Sequence, residues 1–276
     1  MDVRAFRCTS SGYGHHFQIV QCKNCGHVYA NPRRKLEEIL AAYSAVEDET
    51  YLEERGGRER TFLKHLKELE KYTGPGEHRP LLDVGAYVGI FVEVARSNQW
   101  CAVGVEPSQW ATLEAQKLDL PVFLGTMEAA ALDNRRFDVI TMWDVIEHMD
   151  DPAAEVKRAF GLLNPGGFIA IHTMDINSFI AKVMGRRWPW LMDMHIHYFG
   201  RRTLIRLLEL NGFEVIWIGS QGRYLSLRSL VSRIGGISPP VGRFMRKIVN
   251  LLKCGDLTVP VNFGDLITVY AKKPET

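Results

Sequence analysis

Leu81-Leu82-Asp83-Val84-Gly85-Ala86-Tyr87-Val88-Gly89-Ile90-Phe91 decides the fold, together with a stretch one helix length later, Cys101-Ala102-Val103-Gly104-Val105-Glu106-Pro107-Ser108. An apolar run ending in a carboxylate and two glycines, then an amphipathic segment, then a second apolar run ending in a carboxylate, reads as strand, glycine turn, helix, strand. Such a βαβ unit binds a nucleotide at its turn. Gly85 and Gly89 let the backbone approach a ligand where a Cβ would collide, and the following helix aims its first amides at the same spot. Glu106 stands about 20 residues past the turn, where this arrangement places a carboxylate on ribose hydroxyls. A dinucleotide fingerprint needs glycines two and five positions after Gly85. Tyr87 and Ile90 stand there instead, which opposes an NAD-linked oxidoreductase.

The 276 residues, 46% hydrophobic and 24% charged, can bury one large core or two modest ones, as in ordinary globular proteins. A formal charge of +2 gives no argument for nucleic acid, and no nucleic-acid module is recognisable. Neither an apolar run of about 18 residues nor a leader pattern is visible, so the expectation is a cytoplasmic protein without a transmembrane segment. Five cysteines, two of them in Cys22-x-x-Cys25, argue for reduced thiols or metal rather than a disulfide framework.

Upstream of the turn, residues 1–34 hold Cys8, His15, His16, Cys22, Cys25 and His27. Cys22-Lys23-Asn24-Cys25 has the shape of a zinc knuckle, which is half of a tetrahedral site. Cys8 with His15 or His16 could complete it; the other reading is a degenerate ribbon packed as small hairpins. Residues 35–72 read as helical, with Leu36, Ile39 and Leu40 and then Phe62, Leu63, Leu66 and Leu69 on shared faces, and Thr73-Gly74-Pro75-Gly76 stops the pattern. The expected division is 1–34, a helical linker 35–76, and a main domain 77–276.

Downstream, Ser108 caps a helix running to about Leu118, and Val122–Leu124 is a short strand with Met127 and Glu128 beyond its tip. The run Phe137–Met142 is a strand that delivers Trp143 and Asp144 to the ligand edge. Asp144, Glu147 and His148 are spaced i, i+3, i+4 and would share a face if the segment were helical. They could orient His148 as general base, or hold a divalent metal that acidifies an acceptor hydroxyl. His148 capping a turn is the third reading. Pro152 opens a helix to about Leu163, Asn164-Pro165-Gly166-Gly167 ends it, and Phe168–His172 is the fifth strand. Arg186-Arg187-Trp188-Pro189-Trp190 could form a platform for a sugar or phosphate, or pack as core. The sixth strand is Phe213–Ile218 and the last Leu266–Ala271. Between them, at about 220–262, lies a basic helical insertion with the patterns Tyr224-Leu227-Leu230-Val231-Ile234 and Val241-Phe244-Met245-Ile248-Leu252. It reads as a lid with solvated arginines, or as a surface for an anionic acceptor, either a phosphate-bearing glycan or a lipid-linked molecule at the periphery of a membrane.

Asp83-x-Gly85-x-x-x-Gly89 resembles motif I of the class I S-adenosylmethionine-dependent methyltransferases, with Tyr87 where that family has a further glycine. Phe137-Asp138 with Ile146-Glu147-His148 is similar to the post-strand motif of the ubiquinone-type O-methyltransferases, and Leu162-Leu163-Asn164-Pro165-Gly166-Gly167 to their turn before the fifth strand. Cys25-Gly26-His27-Val28-Tyr29-Ala30-Asn31-Pro32-Arg33 and His195–Leu204 resemble segments of bacterial relatives that carry an N-terminal zinc ribbon, sugar methyltransferases among them. The resemblance implies an α/β, Rossmann-like, seven-stranded and mostly parallel sheet with its last strand antiparallel, binding S-adenosyl-L-methionine. It implies cofactor contacts from Asp83, Gly85, Ala86, Gly89, Glu106, Pro107, Met127, Glu128 and Trp143; Cys8, Cys22 and Cys25 are the candidate zinc ligands, the first half of the ribbon having lost one that the relatives carry. His195 becomes a second candidate for proton transfer beside His148. The expected activity is O-methylation of a sugar or another small metabolite. A binding or regulatory protein that keeps the cofactor site without the chemistry is the competing reading, and Tyr87 and the incomplete ribbon favour it.

Overall fold

The computed structural model describes residues 16–33, 38 and 47–275, so Cys8, His15, Leu36, Ile39 and Leu40 lie outside the described residues. Strands β1 (Ile19–Gln21) and β2 (Val28–Ala30) form an antiparallel hairpin. Helix α1 (Glu49–Glu53) starts at Asp48, whose carboxylate accepts from the Tyr51 amide, and α2 (Arg55–Thr73) ends at Gly74 in a left-handed turn. Then come β3 (Pro80–Val84), α3 (Ile90–Ser97), β4 (Cys101–Glu106), α4 (Gln109–Gln116), β5 (Val122–Leu124), β6 (Phe137–Trp143) and α5 (Pro152–Leu162). Ser108 caps α4, and Asp151 with Pro152 opens α5. The remainder is β7 (Leu163–Met174), α6 (Phe179–Met184), β8 (His197–Tyr198), α7 (Arg201–Leu210), β9 (Glu214–Gly219), β10 (Arg223–Ser226), α8 (Leu227–Ile237), α9 (Pro239–Leu251), β11 (Thr258–Val261) and β12 (Leu266–Lys272).

Seven strands form one sheet in the order β5-β4-β3-β6-β7-β12-β9, and β12 runs antiparallel to both its neighbours. Adjacent residues of each central strand serve opposite layers, as the pleat requires. Leu82, Ile140, Ile169 and Ile171 pack with α5 and α7 through Val156, Ala159, Leu204 and Leu208. Leu81, Val139, Phe168 and Ala170 pack on the other face with Leu66, Leu69, Phe91 and Ala95 of α2 and α3. The chain leaves β3 toward β4 on one side and returns to β6 on the other. This switch point opens a crevice at the carboxyl ends of β3, β4 and β6, where such sheets bind ligands.

Four boundaries differ from those expected. Leu66 and Leu69 are fully buried in the same core as Leu81, so the helix read as a linker is one layer of the main domain. The hairpin of residues 19–30 is likewise tied in, because Val28 and Tyr29 pair with β8. The Pro-Gly-Gly segment belongs to β7, which starts at Leu163 and enters the sheet through an irregularity opposite Phe137 and Val139. The basic insertion is a helix pair, α8 and α9, on a neck made by β10 and β11, which pair Arg223 to Val261 through Ser226 to Thr258. Tyr224 is therefore a strand residue, and the first helical pattern starts only at Leu227.

Candidate active site

The crevice is a cleft of about 530 Å³. Its floor is the glycine turn. Gly85 sits at φ +69°, and a Cβ there would lie 2.6 Å from Val145 Cγ2, so only glycine keeps the turn open. Tyr87 also adopts a positive φ, +49°, at the position of the missing glycine. Its ring packs edge-on against Tyr51, 4.4 Å between centroids, and both rings wall the cleft. The turn thus keeps its path, with an aromatic wall added. The backbone amides of Tyr87 and Ser108 donate to the two oxygens of buried Glu106, at 2.9 and 2.7 Å, fixing its carboxylate at the end of β4.

Of the cofactor contacts expected, Gly85, Glu106, Pro107, Met127, Glu128 and Trp143 line the cleft. Asp83, Ala86 and Gly89 are not among its lining residues. Asp83 is buried, accepts a 2.6 Å hydrogen bond from Thr141 Oγ1, and has its carboxyl pushed up to about 8 by burial. Gly89 starts α3 at φ +78°, where a Cβ would lie 2.8 Å from Leu120 Cδ1, and Ala86 Cβ fills the space a side chain on Gly104 would need. These three shape the turn from behind.

Glu147, His148 and His195 also line the cleft, with one potential ligand atom from each lying within 4.8 Å of the others. The expectation that Asp144 shares a helical face with Glu147 and His148 fails. The segment makes only a single 3-10 turn, Ile146–His148, and Asp144 precedes it at φ +58°. His195 takes the third place. His148 Nδ1 lies 2.8 Å from the Met194 carbonyl and His195 Nδ1 2.7 Å from the Trp190 carbonyl. A carbonyl only accepts, so each Nδ1 carries the proton and each neutral ring keeps a basic Nε2. Burial lowers both histidines, His195 to about 3 with help from His148, while burial and then Asp144 push Glu147 up to about 8. Thr173 Oγ1 donates to Glu147 Oε2 at 2.9 Å. The trio is therefore neutral near pH 7 and dry enough to sense any added charge.

The sequence reading missed Arg223. Taken there as one base of a solvated run, it donates to Asp144 Oδ1 at 2.8 Å, lies over the Trp190 ring at 4.9 Å, and lines the cleft. Trp190 in turn stacks on His195. Arg223 follows closely on the carboxyl end of β9, at the ligand edge, and that position was the available signal. Behind Arg223 lies a chamber of about 40 Å³ walled by His65, Trp143 and His172, whose Nδ1, Nε1 and Nε2 accept or donate no hydrogen bond among the described residues, although His172 Nε2 stands 3.8 Å from Asp144 Oδ1.

At the amino end, Cys22 and Cys25 close a tight turn in which the Gly26 amide donates to the Cys22 carbonyl at 2.9 Å, and both thiols are free. Backbone hydrogen bonds from Cys25 and then Asn24 lower the Cys22 thiol. His27 pairs with His197 at 3.0 Å. Two thiols are half a zinc site, and Glu147, His148 and His195 are the only group of three or more His, Cys, Asp or Glu with metal-binding spacing among the described residues.

Residues 49–217 match the family model described as a methyltransferase domain. The chain belongs to this methyltransferase domain family. Its sheet is the class I S-adenosylmethionine-dependent methyltransferase fold, and the nicotinamide reading falls. A ubiquinone biosynthesis O-methyltransferase of Rhodopseudomonas palustris is 27% identical over 165 residues, 51% of this chain and 64% of that protein. One from Serratia proteamaculans is 34% identical over 147 residues, 49% and 59% of the two chains. The chain thus spans less than two thirds of these relatives. Among solved structures, an S-adenosylmethionine-dependent methyltransferase from Archaeoglobus fulgidus superposes with a TM-score of 0.55 at 17% identity, covering 82% of this chain and all of that one. The family match ends at residue 217, so Arg223 and the whole cap lie outside the matched residues, although β12 beyond them completes the sheet.

Proposed function

We propose that this chain transfers a methyl group from S-adenosylmethionine to a hydroxyl of a sugar or another small metabolite. The observation that carries the reading is the pair of neutral imidazoles at the cleft, each pinned through Nδ1 to a carbonyl and each keeping a basic Nε2. The cleft fits the cofactor's chemistry: Glu106 would hold the ribose hydroxyls, Gly85 would admit the methionyl end, and Met127 would face the adenine. When bound, the cofactor would supply an electrophilic methyl carbon on a sulfonium; the acceptor oxygen would bond to that carbon as its bond to sulfur breaks, and the sulfur would leave as a neutral thioether. His148 would take the acceptor's proton, because His195 is held too far down to be an effective base at neutral pH. The charge of Asp144 would favour the imidazolium that forms.

The test is calorimetric titration with S-adenosylmethionine and its demethylated product, NADH as control, followed by turnover on a panel of hydroxylated acceptors. Replacing His148 by Ala should lower turnover by about 100-fold or more with cofactor affinity kept. Equal losses in both would remove the base assignment. Cofactor binding without transfer to any acceptor would favour the regulatory reading. The same trio also offers the donor set of a divalent cation, a carboxylate and two imidazole nitrogens. Loss of turnover with a chelator, restored by added Mg²⁺ or Zn²⁺, would favour metal-assisted ionisation of the hydroxyl over the general base.

A further inference from the structure

Helix α9 buries less of itself than its sequence asks for. It packs on α8 through Gly242 and Val249, so closely that a Cβ on Gly242 would lie 2.3 Å from Gly235 Cα. A second apolar stripe, Val241, Phe244, Ile248 and Leu251, recurs at i, i+3, i+7 and i+10 and therefore follows one side of the helix. It faces solvent: Phe244 is 66% and Leu251 82% exposed, with Leu252 beside them. Lone exposed apolar residues are ordinary, whereas a continuous stripe over three turns is not.

Charge says what covers it. Residues 222–264 carry seven basic side chains against Asp256 alone, so the cap is formally +6 while the rest of the chain is −4. Arg223 and Arg233 turn into the cleft. Arg243, Arg246, Lys247 and Lys253 stay exposed on α9 and just after it, with no ion pair among the described residues. A second copy docked stripe to stripe would bring two such basic rows to one seam, where they repel. An anionic lipid surface accepts both features at once, taking the apolar stripe among its acyl chains and the bases at its headgroups.

We propose that α9 is an interfacial helix that docks this protein on bilayers bearing anionic lipid headgroups. The neck of the cap carries Arg223 into the cleft, so docking sets the cleft beside the bilayer, and an acceptor with an acyl or prenyl tail could reach it without crossing water. That last step rests on the methyl-transfer reading; the docking itself does not.

Flotation of the full chain with vesicles of phosphatidylcholine alone, or with about 30% phosphatidylglycerol, tests it at low salt and at about 0.5 M salt. The chain should float with the anionic vesicles, at least about tenfold more weakly with the neutral ones, and release as salt rises. Phe244→Ser with Leu251→Ser should lose at least about tenfold of the association. Arg243→Glu with Lys247→Glu should abolish the preference for anionic vesicles. All four positions are exposed, so circular dichroism and binding of S-adenosylhomocysteine should stay as in the wild type. Unchanged flotation of either variant, or none by the wild type, would overturn docking. So would a dimer in sedimentation that the Phe244 and Leu251 changes dissolve, if the chain does not float. Flotation intact with no binding of S-adenosylhomocysteine would overturn the methyl-transfer reading and leave docking standing.

Discussion

Residue by residue, the site works by withholding water from groups that would otherwise be charged. His148 is lowered by burial, so it stays neutral through the physiological range, and a rate limited by its basicity should fall only as pH drops below the ordinary imidazole value of 6.5. The pH profile of kcat/KM should put the acid limb there; a limb above 6.5 would contradict the base assignment. Asp83 works in the opposite sense. Its carboxyl is raised in the folded chain, so the folded state holds a proton that the unfolded state gives up, and stability present below pH 4 declines as pH rises toward about 8. Asp83→Asn, which keeps an acceptor for Thr141, should flatten that decline in melting temperature between pH 5 and 8.5 by several degrees. Asp83 was legible in the sequence as part of motif I, but its burial was not, because Thr141 lies 58 residues away on the neighbouring strand. The same distance problem hid Arg223 from Asp144, 79 residues apart, and His65 from His172. Nothing local in a run of arginines tells which one folds inward.

At the scale of elements, the sheet was readable because every strand advertises itself locally, by an apolar run that stops at a carboxylate, glycine or proline. The last strand was readable too, although a 46-residue insertion separates it from its neighbour. What the pattern could not give was partnership between elements. Helix α2 has the alternating charges of a solvated linker, yet Leu66 and Leu69 are fully buried against β3 and α3. Leu66→Ala should therefore cost about 2–5 kcal/mol of unfolding free energy, measured by denaturant titration, as for a core position. A chain shortened to begin at residue 77 should fail to fold cooperatively. The 3-10 turn at Ile146–His148 was misread for the converse reason: an i, i+3, i+4 spacing fits a helix, but the strand geometry carries the chain only one turn before β8 and Met194 take up its groups.

In the whole molecule, stability and chemistry occupy different edges of one sheet. The carboxyl ends of β3, β4 and β6 carry the glycine turn, Glu106, Trp143 and Asp144, whereas the two layers of apolar side chains lie over the middle of the strands. A ligand that enters the cleft binds the folded state alone, so S-adenosylhomocysteine at 100 times its dissociation constant should add about 2.7 kcal/mol, read as a rise in melting temperature, and NADH none. The neck beneath the cap has a wider consequence. Because β10 and β11 pair residue for residue, the chain leaves the sheet and comes back at nearly the same point. Everything above that point can be exchanged for another segment at little entropic cost, since closing a loop depends only logarithmically on its length. Arg223 stands in the neck itself, so a graft cut above it would inherit the arginine at the cleft, and a graft cut below it would have to supply its own. A protein built this way keeps the glycine turn and Glu106 of its cleft on a separate stretch of chain from the segment above the neck, so a change of lid need not disturb either.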